Sequence, residues 1–192
     1  MGNYQLAIKK IDEANSRDLN RETVEGTEWP KELLYARRMT EWLEKLDPDA
    51  SEALRLAVRC QHIERWAIPR EEYPKTRPGY LKWRNDLKQY HADRAGEILG
   101  DVGYRDKLIR NVQGLVMKKG LKTDPEAQIL EDVACLVFLA YYFEDFSRNH
   151  SEEKLVRIIK KTWRKMSEKG REEALKIDLS DSARSLMEKA VM

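Results

Sequence analysis

Apolar residues return at every third and fourth position along almost the whole chain, and the apolar–polar alternation typical of strands is scarce. This spacing places apolar side chains on one face of an α-helix. A chain of 192 residues is long enough to bury one substantial core and short for two domains. The sequence therefore predicts an all-α protein, a single-domain helical bundle over residues 1–192.

Capping residues and helix breakers divide the chain into separate predicted helices. Pro30 suits the first turn of a helix, because its missing N–H would have no intrahelical partner there. Residues 123–126 combine a capping side chain, a proline and acidic residues, which together are a strong N-terminal signal. Predicted helices cover residues 4–17, 30–46, 50–66, 81–99, 105–118, 126–146 and 151–166, with shorter helices starting at Ser167 and Ser180. Residues 20–26 are expected to form a polar stretch on the surface.

Three prolines, Pro69, Pro74 and Pro78, lie between Ile68 and Tyr80. This density forbids a regular helix and predicts a structured loop, and loops of this kind often cover a site. The predicted helix 126–146 is the most apolar and should be central. Its segment from Val133 to Phe143, with Tyr141 and Tyr142, would permit a homodimer.

Positive charge is concentrated in two segments, although the net charge of the chain is only +2. Residues 55–94 hold ten Lys or Arg against five acids, and residues 157–171 hold seven against one. Arginine binds phosphate and carboxylate through paired hydrogen bonds, and nearby aromatic rings offer faces for stacking. We therefore expect an anionic small molecule as ligand, with nucleic acid as a less favoured partner. The alternative for each single residue is a solvated helix surface.

Cys60 and Cys135 each lie in an apolar helical stretch without CxxC spacing, which predicts buried, reduced thiols. No apolar run approaches the roughly 20 residues needed to cross a bilayer, and the N-terminus has no apolar signal-peptide core. The expectation is a soluble, cytoplasmic protein without membrane association.

Four short patches fall in the predicted helices in a fixed order. They are Tyr35-Ala36-Arg37-Arg38-Met39, Cys60-Gln61-His62-Ile63, the run from His91 to Leu99, and Leu130-Glu131-Asp132-Val133-Ala134. Their order and separations resemble those of the HD superfamily of all-helical metal phosphohydrolases. In that comparison Tyr35 stands at the first histidine, Gln61-His62 at the His-Asp pair, and Asp132 at the last aspartate. The resemblance implies a divergent HD-like core over about residues 30–146, followed by basic C-terminal helices over 151–190.

The resemblance also implies a site. His62, His91 and Asp132 would supply two imidazoles and a carboxylate to a divalent transition metal, and His62, Asp132 and Glu131 are the candidate catalytic residues. The alternative is that His62 hydrogen-bonds within a polar pocket and His91 is solvated. Tyr35 and Gln61 cannot readily replace imidazole ligands but can hydrogen-bond a substrate. The candidate substrate-binding residues are Tyr35, Arg37, Arg38, Gln61, Arg65, Lys82, Trp83 and Arg84.

A closer resemblance extends over almost the full length. It is carried by residues 20–24, 30–39, 61–66, 80–84, 121–128 and 161–167, and it is to a family of small helical bacterial and fungal proteins described only as a domain of unknown function. Some members carry a glutamyl-tRNA synthetase label. This sequence has neither the nucleotide-binding signature nor the α/β pattern of a synthetase core.

Three functions stay open from the sequence. The first is metal-dependent hydrolysis of a phosphorylated small molecule in a divergent HD-like pocket. The second is a non-catalytic binding module for an anionic, nucleotide-like ligand. The third is association with nucleic acid through basic surfaces.

Overall fold

Ten α-helices and one small hairpin make up the described part of the chain, in a computed structural model that describes residues 2–121 and 123–191. The α-helices are α1 Asn3–Asn15, α2 Lys31–Leu46, α3 Glu52–Cys60, α4 Arg77–Val102, α5 Asp106–Val116, α6 Pro125–Val137, α7 Phe143–Ser147, α8 Glu152–Lys165, α9 Glu168–Leu175 and α10 Asp181–Val191. Short 3-10 helices cover Arg65–Ala67 and Arg70–Glu72, and a π-helical segment covers Phe138–Tyr142. The prediction of a mostly helical single domain is confirmed.

The hairpin corrects the prediction that every element is helical. Strand β1 (Arg21–Val24) pairs antiparallel with β2 (Thr27–Pro30). Glu25 and Gly26 connect the strands with positive φ angles of 50° and 77°, the conformation of a two-residue hairpin turn. None of the strand residues is fully buried. Each strand has only four residues, so the apolar periodicity gives no signal of them.

Pro30 is the last residue of β2, and α2 begins one residue later than predicted. The side chain of Pro30 has no polar atom that could cap the helix. The buried carboxylate of Asp18, which precedes the hairpin in the chain, caps it instead. Asp18 accepts a hydrogen bond from the backbone N–H of Glu32 at 3.1 Å. Asp18 therefore anchors the start of α2 and with it the side chain of Glu32.

Helix α3 ends at Cys60, six residues before its predicted end. The chain turns out of the helix through residues 61–64, and Glu64 has a left-handed backbone with φ of 48°. In contrast, α4 begins at Arg77, four residues earlier than predicted. The hydroxyl oxygen of Thr76 accepts from the N–H of Gly79 at 3.2 Å, so Pro78 and Gly79 lie within the first turn.

The core lies where α2 packs against α3 and α6, with α1 and α4 covering α3 and with α5 beside α4. Its largest fully buried side chains include Met39, Leu43, Leu56, Leu130 and Phe143. Cys60 and Cys135 are buried and free. The apolar side chains of Val133 and Leu136 point into this core, and the homodimer stays a prediction.

Helix α8 lies to one side of this core. It packs mainly on α10 and touches α6 only lightly, although Leu155 and Ile159 are buried. Within residues 2–121 and 123–191, no helix is both long and apolar enough to cross a membrane.

Candidate anion-binding site

A cavity of about 870 Å³ opens between α2, the turn after α3, α4, the end of α5, α6 and α8. Its wall combines cationic, aromatic and buried polar side chains. The lining residues used below are Lys31, Glu32, Tyr35, Gln61, His62, Arg65, Arg84, Lys88, His91, Lys118, Glu131, Phe138, Tyr142, Phe146, Lys161 and Lys165. The two basic segments of the sequence meet here, because α4 forms one wall and α8 forms another.

Positive charge dominates the wall. Seven lysines and arginines line the cavity against two glutamates. One of those glutamates is already neutralised: Glu131 accepts from Lys118 and lies 3.1 Å from the Nζ atom of Lys165. Burial by itself would raise the pKa of Glu131, yet the two ammonium groups hold that pKa below its usual value.

The remaining positive charge acts on the pKa of Lys88. Burial lowers the pKa of Lys88, and the like charges of Arg84 and Lys118 lower it further. Among the described residues, Lys88 has no ion-pair partner of its own. An anion placed beside this lysine would favour its charged form.

His62 lies in the turn after α3, stacked on Tyr35 with ring centroids 4.1 Å apart. The guanidinium of Arg65 approaches Nε2 of His62 at 3.5 Å. Since arginine only donates, Nε2 must be the accepting nitrogen, and the proton resides on Nδ1. That Nδ1–H faces Oε2 of Glu32 at 3.5 Å.

His91 is neutral and its tautomer is fixed. Nδ1 of His91 donates to the carbonyl oxygen of Ile63 at 2.7 Å, so the lone pair is on Nε2. Burial, with a contribution from neighbouring His62, lowers the pKa of His91 to about 3. Burial also lowers the pKa of His62 well below its usual value, and Arg65 adds to that effect.

Glu32 is the second buried acid of the wall. Burial raises its pKa to about 7, an effect that Arg65 opposes and Asp18 reinforces. Neutral pH therefore lies close to the pKa of Glu32, which is beside two imidazoles whose pKa values are lowered.

The turn that carries Gln61 and His62 is held from two sides. The side chain of Asn15 accepts from the backbone N–H of Glu64 at 3.0 Å. The carboxylate of Glu64 accepts from Tyr90 and from Arg94, both at 2.9 Å. The left-handed backbone at Glu64 is thereby over-determined, as is typical of functional turns. Lys118 is also left-handed, with φ of 56°.

Aromatic side chains form a further wall. The π-helical segment presents Phe138 and Tyr142 to the cavity, and α7 adds Phe146. One extra residue in a helical turn redirects the side chains around it, and such insertions are frequent at functional sites. The ring of Tyr142 is fixed because its hydroxyl accepts from Arg38 at 2.9 Å.

Seven of the predicted site residues line the cavity: Tyr35, Gln61, His62, Arg65, Arg84, His91 and Glu131. They come from α2, the turn after α3, α4 and α6. The segments around the four sequence patches therefore do converge on one polar centre.

Asp132, expected as both metal ligand and catalytic residue, is not brought to this centre. Its oxygens accept from the N–H and hydroxyl of Ser167 at 2.8 and 2.5 Å and from Gln128 at 3.0 Å. Within the ranges 2–121 and 123–191, no group of three His, Cys, Asp or Glu side chains is arranged to hold a metal ion.

Four predicted substrate-binding residues also lie outside the cavity lining. Arg38 pairs with Glu22 of the hairpin at 2.5 Å, and Arg37 stacks over the ring of Trp29. Lys82 is exposed and pairs with Asp86. The indole N–H of Trp83 donates to the carbonyl oxygen of Ile68 at 3.0 Å, which fastens the proline-rich segment to α4.

Sequence reasoning missed Lys31, Glu32, Lys88, Lys118, Lys161 and Lys165. Helical spacing carries a signal for some of them. Arg84, Lys88 and His91 are four and three residues apart and share one face of α4, and Lys161 and Lys165 share one face of α8. No spacing links α8 to α4, because their encounter depends on the fold.

Comparison with known proteins gives one match. The family described as a domain of unknown function, DUF4202, matches residues 5–187. No curated protein and no solved structure matches the chain. The matched range includes every residue that lines the cavity. On that coverage the chain belongs to the DUF4202 family.

Proposed function

We propose that the cavity binds a small anionic molecule, a phosphate or phosphate ester, between α4, α6 and α8. The single observation that carries this proposal is the excess of seven lysines and arginines over two glutamates on one concave wall. Like charges gathered in this way are costly for the free protein, and an anion relieves that cost by pairing with them.

The concave arrangement of the charges favours a small molecule over nucleic acid. Arg84 and Lys88 on α4 face the same cavity as Lys161 and Lys165 on α8, so their charges converge on one point. A polyanionic chain is bound instead along an extended basic stripe, with affinity that falls steeply as salt rises.

The test is calorimetric titration of the protein with inorganic phosphate and with pyrophosphate, supported by thermal unfolding. The proposal expects saturable binding and a melting temperature that rises with ligand concentration. Lys88→Met should weaken pyrophosphate binding about tenfold or more, because a charge-assisted contact is lost.

Lys107→Met is the matched control, since Lys107 is an exposed lysine of α5 outside the cavity. Equal affinities for the two variants, or no binding of either probe to the wild-type protein, would contradict the proposal. RNA binding that depends steeply on salt, without saturable phosphate binding, would favour the nucleic-acid alternative.

A second candidate is hydrolysis of the bound phosphate ester, with a divergent HD-like arrangement as its structural basis. The observation that favours it is His91: its Nδ1–H donates to the backbone carbonyl of Ile63. Metal-binding histidines commonly make such a bond with the ring nitrogen that does not face the metal, and Nε2 of His91 is left for an ion or a water. Phosphate release that requires added Mn²⁺ or Zn²⁺ and disappears in His91→Asn would support it. Ligand binding without turnover at any metal concentration would exclude it.

A further inference from the structure

Three buried polar atoms at the cavity wall have no hydrogen-bond partner among the described residues. They are Oε2 of Glu32, Oε1 of Gln61 and Nε2 of His91. The three residues are only 7%, 5% and 2% exposed, so bulk solvent does not reach them freely. We call Glu32, Gln61 and His91 the acceptor patch.

His62 lies next to each member of the acceptor patch. Nδ1 of His62 lies 3.5 Å from Oε2 of Glu32, and the rings of His62 and His91 have centroids 6.0 Å apart. Gln61 precedes His62 in the chain. The members of the patch are therefore grouped around one imidazole ring.

The patch accepts hydrogen bonds. Nε2 of His91 carries a lone pair because Nδ1–H is committed to Ile63. The ionised carboxylate of Glu32 also accepts, and the Nδ1–H of His62, 3.5 Å away, does not satisfy its Oε2. The amide of Gln61 can present its oxygen. An unpaired buried acceptor is costly until a donor reaches it. A phosphate dianion has only acceptor oxygens and cannot supply that donor.

The cations and the acceptor patch lie at different depths. Lys31, Arg84, Lys161 and Lys165 are exposed at the rim, whereas the acceptor patch is buried. A ligand that meets both has its anionic group at the rim and donor groups on the part that enters. At about 870 Å³, the cavity has the size of sites that enclose a whole small organic molecule.

We infer that the ligand is a phosphate ester of a polyhydroxylated compound, whose phosphate meets the rim cations and whose hydroxyl groups donate to Glu32 and His91. This inference rests on the proposed function and adds the chemical class of the ligand. A sugar phosphate and a nucleoside monophosphate share this chemistry.

The test compares glycerol 3-phosphate with n-propyl phosphate, which has the same carbon chain and phosphate but lacks both hydroxyls. The inference expects glycerol 3-phosphate to bind about tenfold more tightly, the effect of one or two hydrogen bonds to buried acceptors. Glu32→Met and His91→Phe each remove an acceptor, so each should reduce that ratio of affinities towards one. Because both esters carry the same phosphate, a variant that changes only the affinity for phosphate leaves the ratio unchanged.

Thermal unfolding shows which variants are folded, and the Glu32→Met ratio stands by itself if His91→Phe is unstable. Equal affinities for the two esters in the wild-type protein would overturn this inference and leave the proposed function intact. If neither ester nor pyrophosphate binds, the proposed function fails as well. Ribose 5-phosphate and uridine 5′-monophosphate should both bind more tightly than n-propyl phosphate. The tighter binder of the two shows whether the ligand is a sugar phosphate or a nucleoside monophosphate.

Discussion

Asp132 accepts two hydrogen bonds from Ser167, one from its backbone N–H at 2.8 Å and one from its hydroxyl at 2.5 Å. The pair fastens the start of α9 to the middle of α6. Gly170 packs directly against the same carboxylate, where an added Cβ would lie 2.7 Å from Cγ of Asp132. Asp132 thus performs a structural task at a position where the HD resemblance implies a metal ligand.

Asp132→Ala is therefore expected to reduce the free energy of unfolding by about 2 kcal/mol, because the partly buried donors of Ser167 and Gln128 lose the acceptor that Asp132 provides. Urea denaturation measures the loss. Pyrophosphate affinity should stay at the wild-type value below the unfolding transition. A double-mutant cycle with Ser167→Ala should give a coupling energy of about 1 kcal/mol, and strict additivity would contradict the structural role.

Arg59 ties three helices together. Its guanidinium donates to both carboxylate oxygens of Asp12 on α1, at 2.8 and 2.7 Å, and to the hydroxyl of Thr40 on α2 at 3.0 Å. Arg59→Met should cost about 3 kcal/mol of stability, since it leaves Asp12 without its counter-charge. Lys9→Met, which removes the exposed Lys9–Glu13 pair, should change stability by less than about 0.5 kcal/mol. Chemical denaturation of both variants measures the difference.

Much of the helical architecture could be predicted because apolar spacing and capping residues are local signals. Asp124 accepts from the N–H of Glu126 at 2.9 Å, as the sequence signal at that position predicts. The end of α3 could not be predicted in this way. It depends on a left-handed residue, Glu64, that is held by Asn15 and Arg94 from distant parts of the chain.

The candidate site also combines residues that the sequence indicates with residues that only the fold brings to the cavity. Residues such as His62 and His91 attract attention because of their chemistry, and both line the cavity. Lys161 and Lys165 look like ordinary cations of a solvated helix until the fold places α8 at the cavity. Asp132 shows the converse, since its sequence position suggests a ligand and its partners are structural.

Lys88→Met should raise the melting temperature of the ligand-free protein. The lowered pKa of Lys88 shows that the fold disfavours its charged form, through burial and through Arg84 and Lys118. Methionine keeps much of the apolar stem and removes the charge. Differential scanning calorimetry without phosphate in the buffer measures the shift. A lower melting temperature would mean that the ammonium group contributes to stability by itself.

Glu32 should make stability fall as pH rises through the acidic and neutral range. Burial raises its pKa in the folded protein to about 7, against an ordinary value of about 4.3. Between these values the folded state holds a proton that the unfolded state has lost, so the free energy of unfolding decreases with pH and the penalty is complete above about pH 7. Glu32→Gln cannot titrate. Its stability relative to the wild-type protein should therefore increase from pH 4 to pH 8, by at most ~1.4 kcal/mol per pH unit.

Parallel stability curves for the wild-type protein and Glu32→Gln would contradict a buried, proton-exchanging Glu32. Lys107→Met supplies the control, because Lys107 is an exposed residue of α5 outside the cavity. Urea denaturation at half-unit steps of pH resolves the slope.

His91 is expected to make the stability of the protein fall as pH decreases below neutral. Burial, then the nearby His62, lowers the pKa of His91 to about 3, against an ordinary value of about 6.5. From pH 6.5 down to about 3 the unfolded chain gains a proton that the folded protein does not, so stability decreases as pH falls. His91→Asn keeps an N–H donor for the carbonyl of Ile63 and cannot titrate. The variant should lose some stability at pH 7 and recover relative to the wild-type protein towards pH 4. A stability gap that stays constant from pH 7 to pH 4 would show that His91 is protonated in the folded protein at its ordinary pKa.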